Sequence, residues 1–365
     1  MRRSSIAAVI EAADAIAGPL AELGAQYDAR PAYPADSIAL LSNAGLLRAF
    51  APGARWSDRE SEYHAMFEAL RRIGRADLSL GRLFEGHVNA LQLFGWYGDK
   101  GQLHWLSKAL EGGAMFGIWA SEPAPGVQLV GEEGEMHLTG AKHFASGAGG
   151  IDHAIVTAKQ NEAGRRLIVV SGRDAARADN RAWQVRGMRA TQSGSYDLTG
   201  MSVAPIALLG GPGDYDREPR FTGGAWRFCA VQLGGIEALV QRLRALMSED
   251  ARADPVRRAR FADCVIAART AYLWVREAMM RAARDGEDMV PFVLATRGVV
   301  ERSALDVMEG AARLIGTRSA MAGERADKII RDLSLYLRQA GPDHARDRAA
   351  ESWLERDIWA EDRWW

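Results

Sequence analysis

Apolar positions near the start of the chain recur at steps of three and four residues. One face of this pattern carries Ile6, Val9, Ile10, Ala13 and Ile16. Helical spacing continues to about residue 111. A helix turns once in about 3.6 residues, so the spacing is typical of helices that bury one face. We therefore predict an N-terminal α-helical domain over residues 1–111.

The period of the pattern shortens between residues 112 and 206. Runs such as 154–157 and 166–170 are rich in aliphatic and β-branched residues, and turns containing Gly, Asn and Asp separate them. These features are typical of short strands. We predict a small antiparallel, barrel-like β-domain over residues 112–206.

Helical spacing returns after the glycine-rich loop at residues 209–214 and lasts to the end of the chain. It predicts a C-terminal helical bundle over residues 207–365, with Pro255 and Pro291 in the first turns of two helices. Helices and strands thus occupy separate stretches of sequence, which favours an α+β fold over a doubly wound sheet.

The last part of the chain, residues 342–365, reads as a charged tail helix with one apolar side. That side carries Trp353, Leu354, Ile358 and Trp359. Because an exposed apolar stripe is unfavourable in water, we expect the tail helix to pack on the body of the protein or on a second subunit.

Composition excludes several classes of function. The 365 residues contain 46 Lys and Arg against 47 Asp and Glu, so no overall field favours nucleic acid. Apolar runs stay well short of the roughly 20 residues that span a bilayer, and Glu11 and Asp14 interrupt the start of the chain. We expect no nucleic-acid or membrane partner, and a cytoplasmic location. The 7 histidines are scattered, so we also expect no metal site.

Three motifs in the predicted β-domain carry more specific information. The first is Phe-Gly-Ile-Trp-Ala-Ser-Glu-Pro at 116–123, and the second is Leu-Thr-Gly-Ala-Lys-His-Phe-Ala-Ser at 138–146. The third is Gly-Met-Arg-Ala-Thr, starting at Gly187 and followed by Val-Ala-Pro at 203–205. In order and spacing the set resembles the flavin-contacting strands of the acyl-CoA dehydrogenase superfamily.

The resemblance implies a flavin site in the β-domain. Trp119, Ser121, Phe144 and Ser146 would contact the flavin, with the serines at its polar edge and Phe144 in place of the family's tryptophan. The alternative is that the serines are turn hydroxyls and that Phe144 belongs to the core. Independently of that choice, Gly187 can be explained as a turn residue with positive φ, and we take it as evidence for the fold alone.

The chain departs from the family at the catalytic base, the carboxylate that removes an α-proton from the thioester. Ala340 stands where most members have this glutamate, and Gly224 or Ala225 stands where a second group has it. A relocated base would be His87 or Asp343. Alternatively, His87 is a core histidine and Asp343 stabilises the start of the tail helix.

The monooxygenase branch of the family has a histidine near the position of Gln339 and often another in the N-terminal helices, which His87 would match, so that branch is matched only in part. Residues 314–318 also replace the Gly-Gly-x-Gly turn that meets the adenine half of FAD. We expect FAD as the cofactor, with FMN as the alternative.

Three functional hypotheses remain. The first is an FAD-dependent oxidoreductase that acts on a CH–CH group of an acyl thioester or a related small molecule, such as an acyl-CoA. The second is a reduced-flavin-dependent monooxygenase on the same fold, and the third is a non-catalytic relative. By the resemblance, the chain would form a homodimer or homotetramer.

Overall fold

A computed structural model describes residues 5–132, 134–160, 164–286, 288–339 and 341–355. Five helices precede nine strands, and seven helices follow them in that part of the chain. The helices before the strands are α1 (Ile6–Ala29), α2 (Ala35–Asn43), α3 (Arg59–Ala76), α4 (Leu78–Tyr97) and α5 (Lys100–Glu111). None of the described helices is both long and apolar enough to cross a membrane.

The strands fall between residues 116 and 209. They are β1 (Phe116–Trp119), β2 (Gln128–Val130), β3 (His137–Thr139), β4 (Ala141–Ala145), β5 (His153–Lys159), β6 (Arg165–Ser171), β7 (Ala178–Asp179), β8 (Gly194–Asp197) and β9 (Leu208–Leu209). The two strands predicted at 154–157 and 166–170 are confirmed as β5 and β6.

The remaining helices are α6 (Arg220–Gly223), α7 (Trp226–Leu246), α8 (Glu249–Ala253), α9 (Pro255–Arg284), α10 (Met289–Ile315), α11 (Arg325–Tyr336) and α12 (Pro342–Leu354). Pro255 is the first residue of α9, and Asp254 caps that helix by accepting from the amides of Val256 and Arg257. Pro291 lies in the first turn of α10. Both positions agree with the sequence prediction.

The chain forms two compact units. The first takes residues 1–57, 79–185 and 189–217, and the second takes residues 58–78, 186–188 and 218–365. Helix α3 therefore belongs with the C-terminal helices, although it lies within the stretch predicted as an N-terminal domain. The reason is close packing of α3 on α7, because a Cβ added at Gly74 would lie 2.4 Å from the carbonyl oxygen of Val231.

The strands of the first unit form two sheets. One has the order β3-β2-β5-β6-β9, with β1 also paired to β5, and the other has the order β4-β8-β7. The prediction of an antiparallel domain needs correction, because β1 runs parallel to β5 from Phe116 to Trp119. Between these two strands the chain leaves for β4 in the second sheet, so the connection is a crossover and not a hairpin.

The tail helix of the second unit packs on α10. Ala345 and Ala349 form a buried cluster with Leu294, and Trp353 lies partly buried against it. Leu354 is exposed instead. The predicted packing on the body is thus confirmed for Trp353, while Ile358 and Trp359 lie outside the described residues.

Candidate functional site

An irregularity in β4 turns Phe144 outward from the first unit. The pairing of β4 with β8 shifts register between Lys142 and Ala145, and Phe144 has the left-handed φ of +53°. Its side chain is 66% exposed, and its ring meets the half-buried ring of Trp183 edge-on, with 6.4 Å between centroids. A strained backbone that holds a large aromatic in solvent is typical of a binding surface.

A largely buried ion pair involves Lys142, which precedes Phe144 by two residues in β4. The Lys142 side chain is fully buried, donates to the carboxylate of Glu122, and also bonds Thr157 Oγ1 at 2.9 Å. Burial acts to lower the pKa of Lys142, while the carboxylate opposes that shift. Glu122 of the first motif and Lys142 of the second therefore join the segment just after β1 to β4.

Backbone hydrogen bonds complete the join between these strands. The carbonyl of Ser121, an exposed residue just after β1, accepts from the amide of His143 at 2.9 Å. The indole of Trp119 is buried and donates to the carbonyl of Ser146 at 3.0 Å. Trp119 therefore fixes the backbone of Ser146, and Ser121 lies near the exposed Phe144 end of β4.

The hydroxyl of Ser146 begins a chain of three hydroxyls. Its Oγ lies 2.9 Å from Ser193 Oγ, and Ser193 donates to Thr191 Oγ1 at 2.8 Å. Ser193 and Thr191 are buried, and Ser146 is half-buried. An aromatic face beside an oriented hydroxyl suits a flavin, which has a flat apolar ring and a polar edge.

His87 is part of the core of the first unit. Its side chain is fully buried, and Nε2 lies 2.8 Å from the carbonyl oxygen of Leu47 while Nδ1 accepts from the amide of Phe116 at 3.0 Å. Burial lowers its pKa to about 4. Both ring nitrogens are engaged and the ring stays neutral, so this geometry favours the structural alternative for His87.

Asp343 lies in the second unit, in the first turn of α12. Its side chain is 86% exposed and pairs with Arg346. This setting matches the structural alternative, an acid that stabilises the start of a helix. Ala340 lies outside the described residues.

The Gly-Met-Arg motif has a structural explanation in the second unit. A Cβ at Gly187 would lie 2.0 Å from the carbonyl oxygen of Arg331. The positive φ that we predicted for Gly187 occurs at Met188 instead, whose amide donates to the buried Asp332. Gly187 is thus required by close backbone contact and not by a left-handed turn, while Lys328 neutralises Asp332 at 2.7 Å.

Sequence reasoning missed Trp183, Ser193 and Thr191. Ser193 follows the recognised Gly-Met-Arg-Ala-Thr motif by only two residues, so the motif contained the signal. Its partner Ser146 is 47 residues away, and only the pairing of β4 with β8 brings the two hydroxyls together. Trp183 occupies a loop whose course no periodicity predicts.

The fold and motifs define a class of protein. Residues 216–348 match the family model described as the acyl-CoA dehydrogenase C-terminal domain. The fold is similar to that of FMN-bound TdsC from Paenibacillus sp. A11-2, with a TM-score of 0.84 over 95% of this chain and 97% of that chain, at 20% identity. The resemblance to the acyl-CoA dehydrogenase superfamily is confirmed.

The curated relatives include monooxygenases and a putative acyl-CoA dehydrogenase. A dibenzothiophene monooxygenase of Rhodococcus erythropolis is 29% identical over 47% of this chain and 44% of its own length. The probable FMNH2-dependent monooxygenase SfnC of Pseudomonas putida is 27% identical over 54% of this chain and 51% of its own. The chain thus spans about half the length of these relatives. The putative acyl-CoA dehydrogenase YdbM of Bacillus subtilis (strain 168) is 23% identical over 90% of this chain and 92% of its own.

Proposed function

We propose that this chain is a monooxygenase that uses reduced FMN and dioxygen to oxygenate the sulfur of a small organic molecule. The observation that carries the proposal is the setting of the two candidate bases. His87 is neutral and locked in the core, and Asp343 is an exposed ion-paired residue. Neither suits the removal of an α-proton, which oxidation of a thioester requires and oxygen transfer to sulfur does not.

The overall reaction balances without a base acting on carbon. One oxygen atom of dioxygen forms a bond to the substrate sulfur, and the other leaves as water. Reduced flavin supplies the two electrons and the hydrogens, and it leaves oxidised. Flavin supplies the redox chemistry when bound, and the protein contributes binding, orientation and exclusion of water.

The described residues have distinct roles in this proposal. Phe144 and Trp183, whose rings meet edge-on, would pack against the flavin ring, and Ser146 would meet its polar edge. Ser121, just after β1, would contact the same edge. The Lys142–Glu122 pair holds β1 and β4 together, and Trp119 holds the backbone of Ser146.

We favour FMN over FAD. Residues 316–320 form a 3-10 turn in which Gly316 has positive φ and Thr317 and Arg318 are exposed. Side chains therefore occupy the turn where glycines would admit the adenine half of FAD. The match to an FMN-bound structure supports the same choice.

The choice of sulfur rests on relatives that are named for organosulfur oxidation, such as the dibenzothiophene monooxygenases. We also propose that the chain works as a homo-oligomer. Helix α9 exposes Val265, Ile266 and Leu273, at 43%, 62% and 49% respectively, and a second copy would cover them.

Isotope labelling tests the reaction class. The purified protein would be supplied with reduced FMN, ¹⁸O₂ and dibenzothiophene, and the product would be analysed by mass spectrometry. We expect one ¹⁸O atom in each product molecule after one turnover. In parallel, anaerobic protein loaded with FAD or FMN would be mixed with a panel of acyl-CoA thioesters.

The two arms separate the hypotheses. Bleaching of the flavin by an acyl-CoA, without label in any product, would establish the dehydrogenase and overturn our proposal. Failure to bind either flavin in either redox state would leave the non-catalytic relative. Label from ¹⁸O₂ together with no bleaching supports the monooxygenase.

A further inference from the structure

The hydroxyl chain of Ser146, Ser193 and Thr191 has a direction. A hydroxyl has one hydrogen to donate. Ser193 uses its hydrogen on Thr191 Oγ1 at 2.8 Å. The 2.9 Å contact between Ser146 and Ser193 therefore needs the hydrogen of Ser146. As a result, Ser146 offers only lone pairs to a ligand.

The backbone holds this direction in place. The carbonyl of Thr191 accepts from the amide of Gly147 at 2.7 Å, and Ala145 pairs with Gly194 in the sheet. The indole of Trp119 anchors the carbonyl of Ser146. Ser193 is only 6% exposed, so water does not readily replace Ser146 as its partner.

The redox state of a flavin decides what such an acceptor can bind. At its polar edge the oxidised ring presents N5 as an acceptor, whereas the reduced ring carries a hydrogen on N5 and donates there. An acceptor hydroxyl therefore pairs with reduced flavin and leaves N5 of oxidised flavin without a partner.

We propose that Ser193 and Thr191 fix Ser146 as a hydrogen-bond acceptor, so that the site binds reduced FMN in preference to oxidised FMN. The inference rests on the proposed function, because it needs a flavin beside Ser146. Ser193 and Thr191 act as positioning residues and do not touch the flavin.

Ser193→Ala tests the inference. Without its acceptor, the hydrogen of Ser146 becomes available to N5 of oxidised FMN. We expect oxidised FMN to bind about fivefold more tightly, and reduced FMN to bind no more tightly than before. The midpoint potential of bound FMN would fall by about 20 mV, since a tenfold change in affinity ratio corresponds to about 30 mV for two electrons.

Three further variants complete the design. Ser193→Thr keeps the hydroxyl and should retain the wild-type preference. Ser202→Ala removes an exposed serine of the same unit and serves as the control. Ser146→Ala deletes the acceptor itself and should weaken the binding of reduced FMN about fivefold. This variant keeps the inference testable even if Ser193→Ala does not fold.

Binding is measured by fluorescence quenching for oxidised FMN and by anaerobic titration for reduced FMN, with circular dichroism as the check on folding. The inference would be overturned, with the proposed function intact, if the wild type bound oxidised and reduced FMN with equal affinity. It would also be overturned if the ratio of these two affinities were unchanged in folded Ser193→Ala and Ser146→Ala. If the wild type binds neither form of FMN, the proposed function itself fails.

Discussion

Phe144 combines a backbone that is costly for a bulky residue with a side chain that gains little from folding. The φ of +53° disfavours a residue with a Cβ, and the ring is 66% exposed. Such a residue persists where binding rewards it, because the fold alone would favour glycine there. Strain and exposure at this one position therefore support the role in flavin binding that we propose for Phe144.

Phe144→Gly should make the protein more stable and a weaker flavin binder. Glycine relieves the left-handed strain, so we expect the free energy of unfolding to rise by about 1 kcal/mol. Loss of the aromatic face should weaken FMN binding about tenfold. Urea unfolding and flavin titration measure the two effects. Ile206→Ala, which removes a side chain of 59% exposure from the same unit, should change neither quantity appreciably.

His87→Gln should alter the pH dependence of stability. Burial lowers the pKa of His87 to about 4, so between about pH 6.5 and pH 4 the unfolded chain takes up a proton that the folded chain does not. The wild type therefore loses up to about 3 kcal/mol as the pH falls through that window, and the variant lacks this loss.

At pH 7 we expect His87→Gln to be less stable by about 2 kcal/mol, because two buried hydrogen bonds change. The difference should shrink as the pH falls and vanish or reverse by about pH 4. The exposed His104 provides the control, and His104→Gln should follow the wild-type curve. Parallel curves for the wild type and His87→Gln would contradict the core assignment. Loss of turnover in a His87→Gln variant of unchanged stability would also contradict the assignment of His87 to the core.

At the scale of elements, Gly187 shows how a motif can be structural. Gly187→Ala would place a methyl group 2.0 Å from a backbone carbonyl at Arg331, and backbone cannot move aside as a flexible side chain can. We expect a loss of about 3 kcal/mol in urea unfolding. Gly95→Ala is the matched control, because its Cβ would make an ordinary 3.6 Å contact with Pro52. A small loss in both variants would show that the segment at 186–188 adapts.

Local pattern predicted the elements well and their partners poorly. Period-two runs located β5 and β6, and the motifs located β1 and β4, because these signals lie within a few residues. Contacts between residues far apart in sequence were not predicted. They are the parallel pairing of β1 with β5, the packing of α3 on α7 and the Ser146–Ser193 contact. Likewise, the sequence around His87 does not reveal that both of its ring nitrogens are hydrogen-bonded, one to Leu47 and the other to Phe116.

At the scale of the whole molecule, the chain has a fold similar to that of the acyl-CoA dehydrogenases, and the proposed function differs from theirs at a few positions. The Lys142–Glu122 pair and the close contact of Gly187 show that two of the recognised motifs hold the backbone of this chain together. Neither feature depends on the catalytic base. The fold can therefore persist with Ala340 at the position of the family's base, and we propose that the hydroxyl chain near Phe144 serves a flavin.

The second unit presents a surface that suits another copy of the chain. A cavity of about 880 Å³ lies among α9, α10 and α12, and its lining includes Ile266, Trp274, Val299 and Trp353. Arg260, Asp306 and Glu309 line it too, so the cavity combines apolar and charged groups, as a polar-rimmed interface does. The exposed Ile266 is the apolar group whose burial by a partner would gain most.

Ile266→Glu should therefore separate the proposed homo-oligomer into folded monomers. A carboxylate buried without a partner costs several kcal/mol, more than the margin that holds most modest interfaces together. Sedimentation velocity over a range of concentrations measures the mass, and circular dichroism checks folding. Val256→Glu is the control, since Val256 is 61% exposed in the first turn of α9 and does not line the cavity. We expect Val256→Glu to keep the wild-type mass. A folded Ile266→Glu variant of wild-type mass, or a wild type that is monomeric at micromolar concentration, would exclude this surface as the interface.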